Sequence, residues 1–131
     1  MSAIFWAASK SFCCTKALSS SLWLTPALSR DFKELKVWQK AHGLVLDVYQ
    51  QSRNFPLEER FGLTAHLRKS ATSVPSNIAE GCGRDGEREL ARFLSIAAGS
   101  ASESEYQLLL ARDLGYLQHD AHRRLEEQVS E

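Results

Sequence analysis

The stretch from Glu87 to Gly115, ERELARFLSIAAGSASESEYQLLLARDLG, narrows the choice of fold more than any other part of the chain. Leu90, Phe93, Leu94, Ala97, Ala101, Ser104, Leu108 and Ala111 recur at spacings of three and four, which places them along one side of a long helix. Ile96, Leu109 and Leu110 spill beyond that stripe and mark a second contact surface. The centre, IAAGSASESE, is crowded with small side chains, which lets a neighbouring helix approach closely, and Gly115 supplies a stop. A helix of this length is stable only when its apolar side is covered, so partner helices must be sought in the rest of the chain.

Two precede it. Leu35, Trp38, Ala41, Val45, Val48 and Tyr49 form one side of an amphipathic helix, with Lys33, Lys36, Lys40, Asp47 and Gln51 mostly turned away. Asp31 and Glu34 have capping-box spacing, so the spacing predicts a first helix of about six turns from Asp31 to near Asn54. Pro56 followed by Glu58 and Glu59 suits a helix start, and Leu63, Leu67, Ala71, Val74 and Ile78 continue a second helix from about Leu57. Pro75 should kink or break it, with Ser70, Ser73, Ser76 and Asn77 bonding to backbone or neighbours around the defect. A short fourth helix begins near Asp120, anchored by Leu125 and Val129. No segment alternates like a strand. The fold expected is an all-α, up-and-down antiparallel four-helix bundle over residues 30–131, its fourth helix short or truncated.

Residues 1–29 differ in kind. They contain Lys10 and Lys16 but no acid, and all sixteen acids of the chain follow Ser29. The segment lacks arginine and its apolar runs are broken, so it reads as an N-terminal extension or an upstream start rather than a targeting peptide. The body is left slightly acidic, which offers no global basic excess for nucleic acid. Three cysteines, two of them adjacent, suit neither a disulfide framework nor a zinc site and fit a reducing, cytoplasmic setting. No apolar run has the length of a membrane span.

The string GCGRDG at 81–86 has the G-x-G-x-x-G spacing of dinucleotide loops. Such a loop requires a preceding strand, and SNIAEG reads as helix, so Gly81 and Gly83 are expected to end one helix and Gly86 or Asp85 to start the next. Arg84, Arg88 and Arg92 are spaced by four and could form a phosphate-facing row, or pair with Asp85, Glu87 and Glu89. Glu80 is placed to bridge to Arg84 or Arg88. Cys82 beside Arg84 is a conceivable activated thiol, but no histidine accompanies it. His42, His66, His119 and His122 form no ligand set. No residues are read as catalytic, cofactor-binding or metal-binding.

Taken together, FKELKVWQKAH (32–42), YQQSRNFPLEERFGLTAHLRKSATSVPSNIAEG (49–81) and ELARFLSIAAGSASESEYQLLLARDLGYL (89–117) resemble the four-helix bundle proteins encoded in intervening sequences of bacterial large-subunit (23S) ribosomal RNA genes. The resemblance covers about residues 31–131. It implies a left-handed bundle that assembles as a ring-like homopentamer without enzymatic activity. It also places the chain near the accessory proteins of diversity-generating retroelements, which associate with reverse transcriptase and nucleic acid. The function expected is a non-enzymatic, oligomeric RNA- or ribonucleoprotein-binding accessory protein. Its candidate contacts are Lys33, Lys36, Lys40, Arg68, Lys69, Arg84, Arg88 and Arg92. The alternative is a protein-binding scaffold that self-assembles without touching nucleic acid.

Overall fold

The computed structural model describes residues 31–130, and the expected extension 1–29 lies outside them. Four helices carry the fold, α1 (Lys36–Gln51), α2 (Leu63–Cys82), α3 (Glu87–Asp113) and α4 (His119–Ser130), and there is no strand among the described residues. The α2–α3 pair shares the most extensive contact, α1 packs on α2, and α4 closes the square against α1 and α3. The connections are short, so successive helices run antiparallel and the architecture is the expected up-and-down bundle.

The apolar stripes meet in one core. Leu67, Ile78, Leu108, Val48 and Val129 are essentially sealed from solvent, each such burial contributing about 1.5–3 kcal/mol relative to exposure. Along α3 the inward residues are mostly small, with Ala97, Ala101, Ser104 and Ala111 fully or nearly fully buried, and this lets α2 and α3 approach closely. Polar groups join them at the seam. Ser70 Oγ donates to Gln107 Oε1 at 2.6 Å, Ser104 Oγ lies 2.9 Å from Ser70 Oγ, and Ser100 Oγ lies 3.0 Å from Ser73 Oγ.

The first helix starts later than its pattern suggests. Asp31 Oδ1 accepts from Lys33 N at 3.0 Å, but the turn it caps is a 3-10 turn, Phe32–Glu34, and Leu35 is extended before α1 begins at Lys36. The break has a physical cause: Phe32 folds edge-on against Trp38 with ring centroids 5.0 Å apart. Residues six apart lie about 120° around and about 9 Å along a continuous helix, on different faces. At its other end α1 tightens into a 3-10 turn, Ser52–Asn54.

The start of α2 shifts likewise. Leu57–Glu59 forms a separate 3-10 turn, Gly62 interrupts, and the Glu59 carboxylate accepts from Leu63 N at 2.9 Å at the true helix start. From there α2 is continuous through Pro75, so of the kink or break expected there the break is absent. Pro75 is buried, and two side chains bond the carbonyls beside the defect: Ser76 Oγ donates to Thr72 O at 2.8 Å and Asn77 Nδ2 to Ser73 O at 2.7 Å.

The two turns at opposite ends of α3 follow the glycines. α2 ends at Cys82 with Gly83 as its cap, and Gly86, at φ 89°, opens α3. At the far end Gly115 adopts φ 76°, its amide donating to Arg112 O at 2.9 Å and that of Tyr116 to Ala111 O at 2.9 Å. These are the paired bonds of a Schellman stop. Phe55 and Tyr116, with ring centroids 6.0 Å apart, tie the α1–α2 and α3–α4 connections together at that end.

Candidate nucleic-acid interface

The GCGRDG corner is structural. A Cβ on Gly81 would lie 2.9 Å from Phe93 Cβ and 3.1 Å from Leu90 Cδ1, so this glycine lets the end of α2 cross the start of α3. A helix, not a strand, leads into the turn, which removes the basis for a nucleotide loop. Cys82 is buried, away from the exposed setting that an activated thiol needs. His42 stacks on Trp38, and His122 is buried with Nδ1 3.6 Å from Glu126. No group of three or more His, Cys, Asp or Glu among the described residues could hold a metal ion.

The arginine row does not form as spaced. α3 begins after Gly86, so Arg84 stands in the turn while Arg88 and Arg92 lie on the helix. Arg84 donates to Glu80 Oε1 at 2.6 Å, the bridge expected from the sequence, and this hydrogen bond, with the attraction of the same carboxylate, raises the guanidinium pKa above its ordinary value. Arg84 and Arg92 both lie over the Phe93 ring, 5.6 and 5.7 Å from its centroid, and Arg92 also meets Glu89 at 3.5 Å. Arg88 is exposed and has no ion pair among the described residues.

The other candidates divide between two places. Lys33, Lys36 and Lys40 lie on the N-terminal part of the first hairpin, toward the bundle end that also carries Arg84, Arg88 and Arg92. Lys33 sits 5.8 Å over Phe32. Arg68 and Lys69 lie on the N-terminal half of α2. Arg68 is half-buried and engaged: its Nε donates to Ser52 Oγ at 2.8 Å and its guanidinium covers the Tyr49 ring at 4.9 Å. It locks α2 to α1 as much as it offers charge. Lys69 beside it is exposed.

Placing the charges on the fold reveals a sorting that the total conceals. α1 and α2 carry four basic residues and two acids, whereas α3 and α4 carry five basic residues and eight acids. Both acids of the first pair are engaged elsewhere, Asp47 accepting from Gln128 of α4 at 2.8 Å and Glu80 from Arg84. Asp47 lies nine residues from Trp38, on the opposite side of α1, and Lys36 and Lys40 share that side, with Lys40 beside Asp47 and Gln128. On the side toward α2, α1 presents Trp38, His42 and Tyr49 in one stripe. Periodicity puts Trp38 and Tyr49 on the apolar side of α1; Trp38 is half-buried and packs against the core, whereas Tyr49 is 41% exposed. The pairing of Tyr49 with Arg68 across the hairpin was the missing information.

Fold and surface thus define a four-helix bundle whose α1–α2 pair is net basic and whose α3–α4 pair is net acidic. The chain matches the 23S rRNA-intervening sequence protein family over residues 33–131 and belongs to that family. No curated protein matches it. No helix among the described residues is long and apolar enough to cross a membrane.

Proposed function

We propose that the protein is a non-catalytic RNA-binding bundle that works in the cytoplasm as an oligomer and contacts RNA through its α1–α2 side. The observation that carries this reading is the charge sorting between helix pairs: α1 and α2 are net basic, with Arg68 and Lys69 on α2 and both helical acids already occupied, while acids accumulate on α3 and α4. Membership of a family tied to ribosomal RNA supports it. A single such patch is weak. The ring of five copies implied by the family resemblance would multiply it, because linked weak contacts act at high effective concentration. Salt-titrated binding to ribosomal RNA fragments, together with the mass by light scattering, tests the reading. A linear fall of log affinity with log salt is expected, and absence of binding at low salt refutes it.

A second reading rests on a different surface. Ile96, Tyr106 and Leu109 stand 42%, 62% and 37% exposed along α3, spread around its outer circumference, and such apolar exposure suits contact between copies or with another protein. A stable oligomer indifferent to RNA would favour it.

A further inference from the structure

The outer side of the α1–α2 hairpin combines two features that occur together in few other places on this molecule: exposed rings and an almost acid-free surround. Between Leu35 and Leu57 the sole acid is Asp47, and between Arg60 and Ala79 there is none. Trp38 and His42 lie within the first stretch, and Phe32, flanked by Asp31 and Glu34, borders it. Phe32 meets Trp38 edge-on, and His42 lies parallel to Trp38, with planes 7° apart and centroids 5.1 Å apart. His42 is exposed, and among the described residues Trp38 is its only ring partner. One imidazole face is therefore backed by the indole, and no ring among the described residues covers the other. About 10 Å further along α1, seven residues on, Tyr49 lies under the Arg68 guanidinium. Exposed Lys69 follows Arg68, and Arg53 continues the α1 stripe eleven residues after His42.

Trp38, itself packed against the core, supports the exposed His42 ring. A duplex would not use that ring, since its bases are stacked on one another and its sequence-independent contacts are to phosphate and sugar. Unpaired bases are what such a ring accepts: every base has a π-face, and aromatic platforms beside basic groups are the recurring means of holding single strands. The chemistry is sequence-tolerant stacking plus phosphate contact.

From this geometry we infer that the α1–α2 side binds unpaired RNA, with a nucleobase stacked on the free face of His42 and neighbouring phosphates met by Lys69 and Arg53. This rests on the proposed RNA-binding function and sharpens it, from RNA in general to single-stranded segments at a named platform. Trp38 holds the His42 ring in plane and is the natural reporter. The span from His42 to Arg53 is about 16 Å, enough for roughly five stacked nucleotides at ~3.4 Å each.

The test uses the full chain carrying Trp6→Phe and Trp23→Phe, so that Trp38 is the sole indole. Its fluorescence is followed while a single-stranded RNA decamer, and separately the same sequence as a duplex, is added at several salt concentrations. The single strand is expected to change Trp38 emission and to bind more tightly than the duplex. His42→Ala should weaken single-strand binding roughly tenfold with the salt slope unchanged, the scale of one lost base stack, and His42→Phe should restore it. If RNA binds with a normal salt slope but His42→Ala binds as well as the parent, or the duplex binds equally well, the platform is overturned and the broader RNA-binding reading stands. If neither RNA form binds at low salt, both fall.

Discussion

Ser70 and Gln107, thirty-seven residues apart in sequence, meet at 2.6 Å in the buried seam between α2 and α3. Ser104 joins them from α3 and Gln107 also donates to Glu103 at 3.1 Å, so the buried amide is satisfied at both ends. Removing one partner should be costly out of proportion to the bond itself, because it strands a buried acceptor. Ser70→Ala is expected to lower stability by about 1–3 kcal/mol in urea denaturation, and Ser70→Ala with Gln107→Leu to recover a substantial part of that loss. Equal losses for the single and double variants would contradict the network.

The glycines should respond in opposite directions. Gly81→Ala forces a methyl group against Phe93 Cβ, which cannot swing aside, and overpacking of this kind costs about 1–3 kcal/mol. Gly115→Ala places a side chain at φ 76° and should cost about 1–2 kcal/mol. Gly43, inside α1 with nothing within 4 Å of a built Cβ, should instead gain about 0.5–1 kcal/mol on replacement by alanine. Thermal denaturation of the three variants checks the ordering.

Cys82 should be silent toward thiol reagents in the folded protein. It is 5% exposed, and reaction needs an accessible thiolate. In a Cys13→Ser, Cys14→Ser background, labelling is expected to follow the unfolded fraction across a urea series. Fast labelling of the native protein would reopen the case for a reactive cysteine.

Basic residues on the two sides should not be equivalent for RNA. Lys69→Ala on the α1–α2 side is expected to reduce the slope of log affinity against log salt by about 0.7 per protomer, the value for one phosphate contact on a single strand. Arg123, which lies 3.8 Å from Asp120 on α4, should be dispensable: Arg123→Ala should leave the slope unchanged. Arg68→Ala should act differently again, lowering stability as well as affinity, since Arg68 bonds Ser52 and covers Tyr49.

Helix identity was legible because the pattern is dense: Leu67, Ala71, Val74 and Ile78 repeat at helical spacing and are all buried. Helix limits were not, because they depend on contacts between residues that periodicity treats as independent. Phe32 reaching Trp38 breaks the chain at Leu35, and Glu59 reaching Leu63 sets the start of α2. The surface was hidden for a related reason. Tyr49 has the spacing of a core residue, and only the opposing Arg68 shows that it is covered by a guanidinium rather than by the bundle. Arg84 shares a four-residue rhythm with Arg88, but the left-handed Gly86 between them starts a new helix axis. Net charge, summed over the chain, erased the difference between the two helix pairs.

That difference gives a chain of zero formal charge a direction. A lateral dipole feels no net pull in a uniform field but does feel a torque, and near a polyanion it turns its positive flank forward before any atom touches. The effect reaches only about 8 Å at physiological ionic strength, so it acts on molecules already close, deciding which flank lands rather than how often they meet. Added salt should therefore erode the orientation of encounters, and a chain with its α3 and α4 acids neutralised would collide with RNA more readily but with less discrimination between its two flanks.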